Sequence, residues 1–378
     1  MADDREALDL LQALVAVPSP SRRETAAVEL LVNWMAGRGF DARRDLAGNA
    51  VGSRGLGPRE ILLLGHIDTF PGVVPSRIES GRLYGRGAVD AKGPLAAFAV
   101  AAARVGVPAG WRVTVVGAVE EEYWTSRGVR HVVSSWGPRP PPATVVVGEP
   151  SHWDRITLGY RGSVELRLRL RTPWSHSAGS EPLPAERAVE LWAAVEAFCA
   201  SNNERRPGAE FERFDAALRS IRTRTVGVLG EAVLVIGLRL PPGARLAAVT
   251  RQLRSFLRGR VEAWGMDGAE MTARFRGGVE AHRASKSTAL VSAFLAAIRA
   301  EGGDPRFVVK TGTADFNVIG PAWPTVPLAA YGPGDSAMDH SPDENIEIEE
   351  FFRAIRVLTG VLARTMNSPP PSSGLQPC

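Results

Sequence analysis

The chain has 378 residues, is 44% hydrophobic and carries a net charge of +4, with 42 Arg against 3 Lys. Its length lies beyond the roughly 250 to 300 residues at which single cores stop growing, so two domains are expected. No apolar run approaches the roughly 18 residues of a membrane span, the arginines form no basic run with interleaved aromatics, and Cys199 and Cys378 are the only cysteines, which argues against membrane, nucleic-acid and disulfide-framework classes.

In chain order, the acidic, amphipathic start "MADDREALDLL" is unlike a secretory signal, and with the scarcity of cysteine it points to a soluble, cytoplasmic protein. Residues 3–16 and 21–38 have helical periodicity, the second opened by a capping box, Ser21-x-x-Glu24, and closed near Gly39. Apolar runs suited to buried strands follow at 60–68, 112–119 and 143–150, with the small-residue helix pattern "GPLAAFAVAAARVG" between the first two. Strands alternating with helices predict a mostly parallel α/β sheet. From about 157 the pattern changes: Val164, Leu166, Leu168 and Leu170 alternate with Glu165, Arg167, Arg169 and Arg171, the signature of a sheet with one wet face. A helix at 185–201, strands near 224–229 and 231–240, a helix at 244–263 and a strand at 270–276 complete a βαββαβ, ferredoxin-like order. The first style then returns, with a helix at 285–300, a strand near 325–331 and a helix at 346–365. The expected organisation is a discontinuous larger domain (1–156 and 278–367), an inserted domain (157–277) and a disordered tail (368–378).

Chemistry-bearing residues collect at the strand ends. His66 and Asp68 are two apart, so in extended chain both side chains face the same way, beyond the carboxyl end of a strand. Such a pair is either a local hydrogen bond or a metal-ligating imidazole with an orienting carboxylate. Asp90 lies among Gly85, Gly87 and Gly93 just before a helix, where it is either an N-cap or a ligand. Glu120-Glu121-Glu122 ends the next strand, Glu149 the one after, and Asp339-His340 precedes the last helix. Of the other histidines, His176 sits in the small-residue loop "WSHSAG", whereas His131, His152 and His282 lack comparable settings. Two imidazoles with several carboxylates and no thiolates make a hard N/O set suited to Zn, Co or Mn. A carboxylate shared by two ions is the usual device of a two-metal hydrolytic site.

These motifs, in this order over nearly the whole chain to about 365, resemble the di-zinc aminoacylase and exopeptidase family of acetylornithine deacetylase, succinyl-diaminopimelate desuccinylase and the glutamate carboxypeptidases. The resemblance implies two divalent ions, zinc with cobalt as the alternative. His66 and Glu149 would bind one, Glu122 and His340 the other, and Asp90 both, with Asp68 orienting the site and Glu121 acting as general base. His176 would steady the oxyanion, often from the partner subunit of a homodimer, so the inserted domain is expected to serve dimerisation and as a lid. The stretches "GHIDTFPG", "GEPSHWDRITLGYRG", "KTGTADFNV" and "YGPGDSAMDHSPDE" are most similar to the hydrolases that release lysine or ornithine from a small acidic amino-group carrier protein in lysine and arginine biosynthesis. Lys310, Thr311 and Thr313 would then lie over the substrate's amino-acid end, with Arg161 as an anion contact. Two other functions fit the same features: a deacylase of small N-acetyl or N-succinyl amino acids, and a catalytically silent dimeric scaffold.

Overall fold

The computed structural model describes residues 3–174, 181–206 and 208–367, so His176 and the 368–378 tail lie outside the described residues. The chain forms two compact units. The first takes in the chain up to Leu158, Ala284–Val308 and the chain from Ala322 onward; the second is Gly159–Arg283 with Val309–Pro321. Each has its own apolar core, one around Leu63, Phe98, Val115 and Leu358, the other around Leu166, Leu191, Ile236 and Leu253.

In the first unit the sheet runs in the order Asp41–Arg44, Ala50–Arg54, Trp111–Ala118, Arg59–His66, Thr144–Gly148, Leu328–Tyr331, Arg155–Tyr160. The four central strands are parallel and the outer pairings antiparallel. Both faces of the central strands are buried, which is why they read as unbroken apolar runs. The helix Lys92–Arg104 is buried through Ala102. Its alanines let it lie close on the sheet: a side chain at Gly148 would meet the Phe98 ring at 3.0 Å and the Gly65 backbone at 3.1 Å. Lys92, at the start of that helix, is itself buried and donates to Leu14 O (2.8 Å) and Val17 O (2.7 Å), carbonyls at the C-terminus of the helix Asp4–Ala16. Burial pulls its ammonium down to about 7. No described helix is long and apolar enough to cross a membrane.

The second unit is the expected βαββαβ arrangement, an antiparallel sheet in the order Asp215–Val226, Leu229–Leu240, Gly162–Pro173, Glu270–Val279. Two expectations change here. The strand expected near 224–229 is instead the first arm of a hairpin, 215–226, with its turn at Gly227 and Val228; it is an exposed edge strand whose place is set by its ladder. Residues 309–321, expected in the larger domain, group with the second unit. Asn317 explains this, since its amide donates to Tyr160 O, Arg161 O and Glu280 O, while Phe316 packs on Tyr160 and His282.

A third difference concerns the helix expected from 21. It spans Thr25–Ala36 and no side chain caps it. Ser21 Oγ donates instead to Asp68 Oδ2 (2.7 Å), and Glu24 Oε1 accepts from the N–H of Arg22 (2.7 Å) and of Glu120 (3.2 Å). The local motif was overridden by long-range partners in the site. The capping box of this region belongs to the first helix, between Asp3 and Glu6.

Candidate metal centre

Strand register assembles the site. Gly65 lies opposite both Gly117 and Gly148, so the residues at and after these positions, His66, the 119–122 turn and Glu149, emerge side by side at the carboxyl ends of three parallel strands. Asp90 arrives on the loop before the helix Lys92–Arg104, whose N-cap is Ala91 without a side-chain bond. The N-cap alternative for Asp90 therefore falls. Gly87, at φ +84, brings this loop against Thr69; a Cβ there would meet Thr69 Cγ2 at 2.7 Å.

Two groups of potential ligand atoms result, each within 4.8 Å: His66, Asp90 and Glu149, and Asp90, Glu122 and His340. Asp90 is common to both. Its Oδ1 is 3.1 Å from His66 Nε2 and its Oδ2 is 3.1 Å from His340 Nε2, which lies 2.8 Å from Glu122 Oε1. The two oxygens of one carboxylate thus face two imidazoles. Glu121 is in neither group, yet its charge acts on the His66 ring.

The electrostatics favour positive charge between these carboxylates. Burial opposes the charged form of His66, but the Asp68 and Asp90 carboxylates outweigh it and hold the ring well above its usual value. His340 is pushed up to about 10 by its hydrogen bonds to Asp90 and Glu122. Burial would raise Asp90, but bonds to His340 and His66 hold its carboxyl far below the usual range, while Glu122 is raised by burial. The carboxylates around these rings favour a balancing positive charge. Divalent ions would supply it with the imidazoles neutral, as ligands must be. Imidazole nitrogens and carboxylate oxygens, in two groups sharing one carboxylate, fit a pair of such ions.

Asp68 is fully buried and organises the surroundings. It accepts from Ser21 Oγ and from the N–H groups of Glu121 (3.0 Å) and Glu122 (3.1 Å), with Oδ1 3.5 Å from His66 Nδ1. Glu24 holds the N–H of Glu120, so each residue of the acidic triplet has its backbone fixed by a carboxylate from elsewhere. Burial raises the Glu24 carboxyl. Glu120, in the left-handed region at φ +62, points away to Arg127 (2.8 Å) and Thr125 (2.5 Å). His340 is also left-handed, at φ +59, and stacks on Phe70 with ring centroids 4.2 Å apart.

Sequence reasoning missed Glu344, whose only signal was an acid four residues after His340. Fully buried, it accepts from the N–H groups of Val89 (3.0 Å) and Asp90 (3.1 Å) and pairs with Arg86 at 2.7 Å. We expect Glu344→Gln, which loses the charge that ties Arg86 to this loop, to weaken metal binding by about 10- to 100-fold, as read by metal titration of the purified protein; unchanged affinity would separate Glu344 from the metal centre. His152 is structural, bonded through Nδ1 to Glu350 at 3.2 Å.

Arg161, Lys310, Thr311 and Thr313 come together within the second unit. Arg161 differs from the expected anion contact. It is 4% exposed and donates to Thr311 O (2.9 Å), Glu210 O (3.1 Å), Arg213 O (3.2 Å) and Asp215 Oδ2 (2.6 Å), so its guanidinium is committed to holding the 311–313 loop to residues 210–215. Thr313 Oγ1 accepts from Arg239 (2.6 Å) and donates to Arg161 O (3.0 Å).

Fold and site together define a metal-dependent hydrolase. Residues 62–364 match the profile of peptidase family M20/M25/M40, and the chain belongs to that family, whose members are metal-dependent amide hydrolases. It is 41% identical to the "[LysW]-lysine hydrolase" of Deinococcus radiodurans over 96% of this chain and 98% of that protein. It is 35% identical to the "Putative [LysW]-lysine/[LysW]-ornithine hydrolase" of Thermococcus kodakarensis over 96% of this chain and 93% of that protein. The fold is shared with the M20 family metallo-carboxypeptidase Sso-CP2 from Sulfolobus solfataricus, at 18% identity, a TM-score of 0.75 and coverage of 96% and 99%.

Proposed function

We propose that the protein is a two-metal amidase that releases lysine or ornithine from an amino-group carrier protein in lysine and arginine biosynthesis, by cleaving the amide between the amino acid's α-amino group and the side-chain carboxyl of the carrier's terminal glutamate. The observation that carries the chemistry is the sharing of Asp90 between two ligand groups with Glu121 beside them. The near full-length similarity to relatives named for carrier-linked lysine and ornithine supports the substrate.

The metal is zinc, with cobalt the alternative; His66, Asp90 and Glu149 would hold one ion and Asp90, Glu122 and His340 the other. When bound, the pair supplies Lewis-acid polarisation of a scissile carbonyl and lowers the pKa of a water. Glu121, a member of neither ligand group, takes the proton of the attacking water on its carboxylate and delivers it to the leaving nitrogen. Asp68 keeps the backbone of Glu121 and Glu122 in place and faces the His66 ring. His176 steadies the oxyanion, from its own chain or its partner's. Lys310, Thr311 and Thr313 contact the amino-acid end, the protein acts as a cytoplasmic homodimer, and the second unit serves dimerisation and closure.

The deciding experiment compares substrates on the purified, metal-loaded enzyme. Lysine or ornithine release from the carrier-linked amide is expected to far outpace turnover of N-acetylornithine. Rapid hydrolysis of N-acetylornithine with no release from the carrier would make the protein a small-molecule deacylase, and failure to bind any metal would leave a dimeric scaffold.

A further inference from the structure

In the second unit one face of the sheet carries the apolar core, with Leu166, Leu168, Leu234 and Ile236 packed against helix residues such as Leu191 and Leu253. The other face is open and strongly basic. Arg167, Arg169, Arg222, Arg224, Arg274 and Arg276 line a shallow concavity of about 640 Å³, with Glu231 the one acid among its lining residues. Glu231 is 1% exposed and already engaged by Arg169, Arg171 (3.0 Å) and Arg224 (2.7 Å).

Arg167, Arg222, Arg274 and Arg276 are exposed, and none makes an ion pair among the described residues. Arg167 and Arg274 stand directly opposite each other in the strand register. Like charges across a ladder destabilise a sheet, and the core on the opposite face gains nothing from them. A field of one sign over a concave surface attracts the opposite charge and speeds its arrival.

Three occupants can be weighed. A second copy seated on the same face by a two-fold axis sets arginines against arginines. A nucleic-acid strand finds no aromatic side chain in the lining on which to stack. An acidic protein surface meets no such obstacle, because unpaired guanidiniums make bidentate bonds to carboxylates.

We propose that the open face of this sheet docks an acidic protein surface, and, resting on the reading of the reaction given above, that this partner is the carrier from which the amino acid is released. On this face the carrier's carboxylates would meet guanidiniums that have no ion-pair partner among the described residues.

The test uses the full-length, metal-loaded enzyme and two double variants, Arg167→Glu with Arg274→Glu and Arg222→Glu with Arg276→Glu. The single variant Arg167→Glu places an acid opposite Arg274 and controls for folding by its unchanged or higher melting temperature. A labelled polyglutamate peptide serves as the binding probe. The wild type is expected to hold it with an affinity that falls steeply with salt, and each double variant to lose about tenfold or more, with a matching rise in KM for the carrier-linked amide, an unchanged kcat and unchanged turnover of a small N-acyl amino acid. Double variants that bind polyglutamate as the wild type does, or an unmoved carrier KM, would overturn the proposal, as would tighter binding of a DNA single strand of equal length. If the wild type holds polyglutamate and the variants lose it, but nothing is released from the carrier, the reading of the reaction falls while the docking face stands.

Discussion

Glu121→Gln is expected to keep its metal and lose its rate. Gln preserves the shape of the side chain and leaves the Glu121 N–H on Asp68 untouched, but cannot accept a proton. A general base is worth about 10²- to 10⁴-fold, so kcat is expected to fall by that much with metal content unchanged. Glu122→Ala differs in kind: it removes a member of the group formed with Asp90 and His340, so metal should be lost along with activity. Elemental analysis of the two variants beside their rates decides the assignment. Equal metal loss in both would mean that the triplet is used in another register.

Asp90→Asn is expected to have the largest effect of any single substitution. His66 and Glu149 lie on one side of Asp90, Glu122 and His340 on the other, and only Asp90 belongs to both groups. Replacing its carboxylate by an amide removes the negative charge that both ions would share. Metal content should drop for both ions and activity should fall to background, whereas Glu149→Ala and His340→Ala each strip one side. The backbone N–H of Asp90 stays on Glu344, so the loop keeps its anchor and the variant should fold. Retention of both metals by Asp90→Asn would sink the shared-ligand assignment.

What could be read from the sequence is what leaves a local imprint. Strands buried on both faces appear as apolar runs, a half-wet sheet as strict alternation from Val164 to Arg171, and acids or imidazoles at strand ends stand out against them. The fold class and the residues that meet around Asp90 were legible for that reason. Features set by distant partners were not. Ser21 and Glu24 have the spacing of a capping box, but Asp68 and the Glu120 N–H, far along the chain, compete for their oxygens and win. Strand 215–226 alternates only over its first half and is exposed throughout the second, so its ladder defines its extent. Arg161 sits in a loop that reads as open, yet Thr311, Glu210, Arg213 and Asp215 close around it. Glu344 looked like one more acid in an acidic segment until the N–H groups of Val89 and Asp90 turned toward it.

The bonds from Ser21 and Glu24 carry one more consequence. The family profile begins at residue 62, but the turn that presents Glu121 and Glu122 is latched from the segment between the first two helices, well upstream of it. Local opening of that N-terminal segment would free the Glu120 N–H and remove the Ser21 bond to Asp68, the carboxylate that holds Glu121 and Glu122, without touching any ligand. Its opening equilibrium and the centre's affinity for metal are then thermodynamically linked: an ion that needs the latched turn slows exchange and proteolysis at residues 19–24, and a substitution that frays the segment weakens an ion it never contacts.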